Sequence, residues 1–241
     1  GAEGSNAMIL RRFMKHVTDQ NWVAVGLDVL VVITGIFIGL QVTDWNQARK
    51  DAAEGRYFLE FLASQLEAET QDRAKEMAES REVAALTTTA TGLLYKESWT
   101  DEDLATFQRT HVAVYRFWGV RHRPAALRRL IEGGKLDLIT SKDMQAAILK
   151  YESAYMEAIQ QTNTSYAYSK DITLDLSNHL RYRFREVVST REELAGNHAL
   201  QSAFRNKMVM QRIQADVLQD IQAASDELLK TVKDYLEKTE A

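Results

Sequence analysis

The sequence W-V-A-V-G-L-D-V-L-V-V-I-T-G-I-F-I-G-L-Q-V, residues 22–42, decides how this chain folds. Asp28 is the only charged residue in it. At about 1.5 Å per residue, a helix of some 20 apolar residues crosses the roughly 30 Å hydrocarbon layer of a bilayer. Trp22 and Trp45 lie at its two ends, where indole rings anchor spans to the membrane interface. The stretch therefore predicts one transmembrane helix, residues 21–46, in contact with the lipid bilayer.

Two other interpretations of this stretch are weaker. A buried core helix is rarely so long, and it has no need for tryptophan at both ends. A cleaved signal peptide has an apolar run of about 7 to 15 residues followed by an A-x-A site, and neither feature is present. We expect the anchor to be retained.

The residues around the span predict its orientation. Residues 1–7 are small and polar and precede Met8, as in an expression scar. Residues 8–20 form a short basic leader, which before an apolar stretch is typical of an uncleaved export signal. We expect a bacterial inner-membrane protein with a cytoplasmic N-terminus and a periplasmic domain, residues 47–241. Charge alone does not decide this, because equal numbers of basic residues flank the span: Arg11, Arg12 and Lys15 before it, and Arg49, Lys50 and Arg56 after it.

One face of the predicted span collects small and polar residues. With Asp28 at zero on a helical wheel of about 100° per residue, Gly35 lies at roughly −20°, Gly39 at roughly +20° and Asn46 at about 0°. Gly35 and Gly39 form a G-x-x-x-G pair, which lets two helix backbones approach closely. This face predicts association with another copy of the chain or with another membrane protein. The alternative is that membrane helices are often rich in glycine and that Asp28 reaches the headgroups alone.

Beyond the span, the sequence predicts an all-α fold in which the transmembrane helix continues into an elongated antiparallel helical bundle. The single proline and 11 glycines leave long uninterrupted stretches of helix-forming residues. The first helix continues outward, burying Tyr57, Phe58, Phe61, Leu62 and Leu66, with weak points at Gly55 and Gly92. Further helices are predicted over 100–118, 125–132, 140–188 with a break near 163–169, a turn at 190–193, and 203–238. The last carries a coiled-coil-like stripe of Met210, Ile213, Val217, Ile221, Ala224, Leu228, Val232 and Tyr235.

The sequence offers no support for catalysis or for a cofactor. It has no cysteine, and no nucleotide-binding, hydrolase or zinc-protease motif occurs in it. Asp175 and His179 are four residues apart, but two ligands do not make a metal site, and a surface hydrogen-bonded pair explains them better. With 34 acidic and 30 basic residues, no global charge favours nucleic acid. We therefore expect no catalytic residue, no metal, no cofactor and no nucleic-acid partner.

A second candidate site is a basic cluster around Pro124. Because proline favours the first turn of a helix, the free N–H groups there would assist the arginines in binding an anion. Alternatively, the arginines pair with acids of the bundle, including Asp101, Glu102 and Asp103. The candidate anion-binding residues are Arg121, His122, Arg123, Arg128 and Arg129.

Two stretches resemble an uncharacterised bacterial family of single-pass membrane proteins. Residues 31–51 are similar to that family's helix exit, G-I-x-I-A-L-Q-I-N-N-W-N-E, while Gly39 and Thr43-Asp44 depart from it. Residues 127–151 are similar to its S-G-K-L-x-L-I segment, with Gly133 in place of the serine. The resemblance implies an anchor and an extracytoplasmic domain, and it carries over no catalytic residue. The matching exit residues are Gly35, Ile36, Ile38, Leu40, Gln41, Trp45 and Asn46.

Together these patterns predict a non-enzymatic, membrane-anchored helical-bundle protein, an assembly, adaptor or ligand-binding subunit of the bacterial envelope. The alternative is a homo-oligomeric channel lined by the single membrane helix, with Asp28 as a cation-attracting ring.

Overall fold

The computed structural model describes residues 22–120, 123–184 and 186–240. These ranges form an all-α fold, which confirms the predicted class. Short 3₁₀ turns at His111–Tyr115 and Leu136–Leu138 connect some of the helices. In chain order the elements are α1 Trp22–Leu94, α2 Asp101–Thr110, α3 Ala125–Ile131, α4 Lys142–His179, β1 Tyr182–Arg183, β2 Glu186–Val187, α5 Arg191–Leu194 and α6 His198–Glu240.

Helix α1 passes through two structural units, Gly1–Ala53 and Glu54–Ala241. Neither Gly55 nor Gly92 breaks the helix. Gly55 instead allows a close approach, because a Cβ there would lie 2.5 Å from the carbonyl oxygen of Leu138.

The second unit is a bundle in which each long helix buries a heptad seam, a row of residues at alternating spacings of four and three. On α6 every seam residue is buried: Leu200, Phe204, Lys207, Gln211, Gln214, Leu218, Ile221, Ser225, Leu228 and Val232. On α4 the seam consists of Met144, Ile148, Tyr151, Tyr155, Ala158, Thr162, Ser165 and Ser169. On α1 it comprises Leu59, Leu62, Leu66, Glu69, Arg73, Glu76, Ser80, Val83, Thr87, Ala90 and Leu94, of which the two glutamates are half-buried.

Cross-helix contacts give the helix directions. Lys150 pairs with Glu227 at 2.6 Å, whereas Ser169 farther along α4 contacts Lys207, so α4 and α6 are antiparallel. Glu67 pairs with Lys233, and Leu94 near the other end of this unit accepts a hydrogen bond from Gln201. Helix α1 is therefore also antiparallel to α6 and runs parallel to α4.

The buried core changes character along the bundle. One large apolar cluster surrounds Leu62, Ile148 and Val232, and another surrounds Phe107 and Phe204. Between them the seams carry polar side chains, with only a small apolar cluster that includes Trp118 and Leu218. The fully buried polar seam positions between the large clusters are Arg73, Ser80 and Thr87 on α1, Thr162, Ser165 and Ser169 on α4, and Lys207, Gln211 and Gln214 on α6.

This polar region explains two wrong predictions. Helix α4 does not break at residues 163–169, where Thr162, Ser165 and Ser169 simply continue its seam with small polar residues. On α6, the seam passes through Gln211 and Gln214, and Ile213 is 38% exposed. The apolar stripe proposed through Met210 and Ile213 is therefore wrong over that part of the helix, although Val217, Ile221, Leu228 and Val232 are buried as expected.

Other boundaries also differ from the predictions. Helix α4 ends at His179, and the chain then forms the hairpin β1–β2, whose tip residue Phe184 has φ 60° and is 97% exposed. Helix α2 ends at Thr110, after which the backbone tightens into a 3₁₀ turn. Helix α6 begins at His198, earlier than expected. On α1, Tyr57 is exposed while Phe58, Leu62 and Leu66 are buried.

Local signals at the helix ends agree with the structure. Capping boxes at Thr100 and Thr190 are both formed, each with reciprocal side-chain and backbone hydrogen bonds. The Ser141 side chain caps α4 by accepting from the N–H of Met144. Helix α3 ends at Ile131 and is followed by Gly134 (φ 63°), with hydrogen bonds from Gly134 N to Ile131 O and from Lys135 N to Leu130 O, the pattern of a Schellman motif.

We expect Gly55→Ala to destabilise the bundle and Gly92→Ala to stabilise it. The added methyl group at residue 55 meets a backbone carbonyl that cannot move alone, a strain of about 1–3 kcal/mol. At residue 92 a Cβ meets no atom within 4 Å, so the helix gains about 0.5–1 kcal/mol from alanine. Thermal unfolding of the full chain in detergent, followed by circular dichroism, compares the two variants. Equal unfolding midpoints for Gly55→Ala and Gly92→Ala would contradict the close contact between Gly55 and the carbonyl of Leu138.

Candidate functional site

The first candidate site is the predicted association face on α1. Asp28, Gly35, Gly39 and Asn46 all lie in this helix and are exposed. A Cβ built on Gly35 or Gly39 meets no atom within 4 Å. No described part of the chain therefore requires glycine at these two positions, and the helix backbone is open to approach along this face.

The apolar stretch has no cover from the described residues. Its large apolar side chains from Val25 to Val42 are all exposed, including the five consecutive residues Val29 to Ile33, which point to every side of the helix. The mean hydropathy of this stretch is 2.2, and none of it is buried. Arg49 lies over the indole of Trp45, 6.0 Å from the ring centroid, just beyond the apolar residues. The chain thus contains a helix long and apolar enough to cross a membrane.

The second candidate site, the basic cluster, is only partly assembled. Arg121 and His122 lie outside the described residues. The guanidinium of Arg123 is occupied by Glu132, at 2.6 Å, and by Glu152, which accepts from Nε at 3.0 Å. The N–H of Ala126, in the first turn of helix α3, has no partner within the helix and donates to Gln65 Oε1 at 2.7 Å.

The remaining arginines of the cluster, Arg128 and Arg129, are exposed on α3. Two of the three acids named as alternative partners bind elsewhere: Asp101 pairs with Arg191 at 3.0 Å, and Asp103 with Lys96 at 2.6 Å. Arg123 is thus paired, as the alternative interpretation expects, but with different acids. An anion site at this cluster stays a prediction.

Asp175 and His179 form the expected surface pair, with 3.5 Å between Oδ1 and Nε2. Among the described residues, no three histidine or carboxylate side chains are grouped closely enough to hold a metal ion.

Sequence reasoning missed a buried network around Arg73. Its Nη1 donates to Ser225 Oγ at 2.8 Å and lies 3.5 Å from the carbonyl oxygen of Ile221. Because the Ser225 hydroxyl donates to Ile221 O, the hydroxyl of Tyr151 must be the donor in its 3.1 Å bond to Ser225. Burial raises the pKa of Tyr151. The only sequence signal was the heptad spacing, which places Arg73 and Ser225 at core positions.

Half-buried Glu69 is the charged partner of Arg73, although the two are 3.4 Å apart. Burial raises the pKa of the Glu69 carboxyl, and the neighbouring guanidinium lowers it by less. The carboxylate is therefore incompletely compensated.

Buried side chains in the polar region hold the segment after α2. Gln211 donates to the carbonyl of Ala113 at 3.0 Å, and Gln214 accepts from the N–H of Trp118 at 3.2 Å. Thr162 accepts from the N–H of Val120 at 3.2 Å, and Gly119 is packed against the same threonine. Gln214 and Thr162 thus satisfy N–H groups that have no helix or sheet partner, and Gln211 adds a second hydrogen bond to the Ala113 carbonyl, which also accepts from Arg116 N at 3.2 Å.

Lys207 is the most unusual buried group in this region. It is 2% exposed, its Nζ contacts the Ser169 hydroxyl, and no ion pair forms between it and a described carboxylate. Desolvation lowers the pKa of Lys207 to about 8.

This low pKa predicts a pH dependence of stability. Between about pH 8 and 10.5 Lys207 binds a proton more fully in the unfolded chain than in the folded one, so its contribution to the free energy of unfolding rises with pH in that window. In Lys207→Met this contribution is lost, and the change in the free energy of unfolding from pH 8 to pH 10 should be less positive by on the order of 1–2 kcal/mol. Urea unfolding of the full chain in detergent at several pH values measures it. Exposed Lys230 on the same helix provides the control, Lys230→Met, and an unchanged pH profile in Lys207→Met would contradict the expectation.

Comparison with known proteins gives this chain no relative: no protein-family model, curated protein or solved structure matches it. The resemblance of residues 31–51 and 127–151 to a single-pass membrane family accordingly stays a prediction. The function proposed for the chain rests on its own residues.

Proposed function

We propose that the chain is a non-enzymatic, membrane-anchored helical-bundle protein that acts as an assembly, adaptor or ligand-binding subunit of the bacterial cell envelope. Its membrane helix associates, through the face formed by Asp28, Gly35, Gly39 and Asn46, with a second copy of the chain or with another membrane protein. The observation that carries the proposal is an apolar helix, uncovered on all sides, that bears two open glycines on one face.

The energetic argument for a bilayer starts from the exposed side chains of this helix. Burying a large apolar side chain contributes about 1.5–3 kcal/mol. More than ten of them are exposed between Val25 and Trp45. Leaving all of them in water would cost more than the ~5–15 kcal/mol by which a folded domain is stable. A lipid environment removes that cost, and it also suits the tryptophan and arginine that follow the apolar residues.

The argument for association uses the polar and small residues. A carboxylate in a membrane helix is costly when it faces lipid and tolerable when it faces a partner helix or water. Asp28 shares its face with Gly35 and Gly39, where a neighbouring backbone can approach closely. Gly26 lies on the opposite side of the helix, at roughly 160° from Asp28, and has the same open surroundings. It is therefore a matched control.

We expect Gly35→Ile and Gly39→Ile to weaken self-association about tenfold, corresponding to ~1.4 kcal/mol, because the branched side chain keeps the helices apart. Gly26→Ile should leave association unchanged. Light scattering after size-exclusion chromatography in a mild detergent, over a range of protein concentrations, gives the oligomeric state of each variant.

If Gly35→Ile, Gly39→Ile and Gly26→Ile self-associate equally strongly, this face is not the contact between copies of the chain. If the wild-type chain is monomeric and crosslinking in membranes captures no other membrane protein at this face, the proposed assembly role is wrong.

The proposed orientation puts the bundle in the periplasm. Because the chain has no cysteine, Ser202→Cys on exposed α6 introduces a single thiol. We expect a membrane-impermeant maleimide to label this thiol in intact spheroplasts. Labelling that requires lysis would place the bundle in the cytoplasm and reverse the orientation.

A further inference from the structure

The second structural unit contains a cavity whose wall is charged at positions that a heptad normally fills with apolar residues. Its volume is about 340 Å³, within the range of small-molecule sites. Helix α1 contributes most of the polar wall, and α4, α6 and the segment before residue 121 contribute the rest. The lining residues are Glu69, Asp72, Arg73, Glu76, Gly119, Val120, Tyr155 and Leu218.

The seam of α1 is interrupted beside this cavity. Leu59, Leu62 and Leu66 occupy consecutive core positions, and the next three are Glu69, Arg73 and Glu76. A carboxylate at a core position costs free energy unless it is paired or reaches solvent. Glu69 has a distant partner in Arg73, and Glu76 forms no ion pair or hydrogen bond with another described residue. Both acids are half-buried and therefore reach solvent, and neither is closely paired with a cation of the bundle.

Tyr155 provides an independent sign that the cavity accommodates a ligand. Its side chain is 1% exposed, yet its hydroxyl makes no hydrogen bond with any described residue. The hydroxyl is the only polar atom that this side chain presents to the cavity it lines. The hydroxyl oxygen itself stays accessible to solvent, so a bound molecule can form a hydrogen bond there without displacing a contact within the protein.

The sign of the charge points to a cation. Three carboxylates line the cavity, and one of them, exposed Asp72, also pairs with Lys75 at 3.4 Å. The one guanidinium of the wall, that of Arg73, is directed to Ser225, Ile221 and Glu69. Arg123, whose charge also acts on Tyr155, is neutralised by Glu132 and Glu152. An anion would therefore find no free positive group among the described residues of the wall.

The arrangement fits an amine better than a metal ion. Along α1 the residues Glu69, Asp72 and Glu76 are separated by about 4.5 Å and 6 Å of helix rise, a row of charges with no common centre. No metal-binding group is found among the described residues. Val120, Leu218 and the Tyr155 ring supply apolar surface for an alkyl chain, and an aromatic face attracts an ammonium group.

We propose that this cavity binds an aliphatic diamine or polyamine. One ammonium group is held by Glu69 and the Tyr155 hydroxyl, the other by Glu76 and Asp72, and the alkyl chain lies against Val120 and Leu218. The inference deepens the ligand-binding part of the proposed function. It does not depend on association of the membrane helices. Titration with putrescine tests the cavity, and measurement of the oligomeric state tests the association, so either proposal can be wrong while the other holds.

The test is isothermal titration calorimetry of the full-length protein in detergent with putrescine as the probe. We expect saturable binding of one putrescine per chain. Butylamine, which keeps the alkyl chain and lacks the second ammonium group, should bind about tenfold more weakly. Tyr155→Phe and Glu76→Gln should each weaken putrescine binding about tenfold. Neither residue has a hydrogen-bond partner among the described side chains, so both variants keep the contacts of the bundle.

Glu60→Gln is the matched control, because Glu60 is an exposed acid on α1 outside the cavity, and it should bind putrescine like the wild type. Circular dichroism melting confirms that each variant is folded. The absence of saturable binding overturns the proposal. Equal affinity in Tyr155→Phe, Glu76→Gln and Glu60→Gln also overturns it, because binding is then a general effect of acidic surface. Tighter binding of Mg²⁺ than of putrescine would identify a metal site instead.

Discussion

A guanidinium inside the helix bundle imposes the strictest condition on this structure. Arg73 occupies a core position of α1, where a charge without partners would cost several kcal/mol. It is satisfied by Ser225 and Ile221 of α6, and Tyr151 of α4 donates to the same serine. The neighbouring seam residues of α6, Ile221 and Leu228, offer apolar side chains instead. A shift of α1 by one seam position would therefore leave the arginine facing a hydrocarbon group, and the network fixes the register of three helices at once.

The polar middle of the bundle follows from the same principle. Apolar clusters at the two ends supply hydrophobic stabilisation, which is insensitive to small sliding movements. Between them, Gln211, Gln214 and Thr162 each bind a particular backbone group of the segment after α2. Hydrogen bonds have strict distance and angle requirements, so this part of the core determines where that segment lies. The wall of the cavity at Gly119 and Val120 is positioned by these bonds.

The sequence predicted the parts of the fold that depend on local rules. The capping boxes at Thr100 and Thr190 involve residues three apart, and the apolar stretch of α1 needs no long-range information. The prediction of buried positions was wrong where polar residues occupy the core. Gln211 and Gln214 are ordinary surface residues by type, so the apolar pattern was wrongly drawn through the exposed Ile213.

The candidate sites differ in the same way: one is formed by a single helix and the others depend on the tertiary structure. The face of Asp28, Gly35 and Gly39 is a property of one helix and was visible from spacing alone. Arg123 had several acids within plausible reach, and only the tertiary structure selects Glu132 and Glu152. The cavity joins residues of α1, α4 and α6 that are far apart in the chain, so no local pattern identifies it. Its one sequence signal was the charge at three consecutive core positions of α1, which becomes clear only once the whole seam is traced.

The hairpin between α4 and α5 has a practical consequence. Phe184 at its tip holds a left-handed backbone conformation, costly for a residue with a side chain, and its ring is almost entirely in water. The strands below it are two residues each, closed by Val188 N to Arg181 O at 2.8 Å. Extra chain inserted at this tip would disturb none of the seams. It is the natural position for a fluorescent or affinity reporter, one that would let the bundle be followed in living cells while helix α1 stays unaltered.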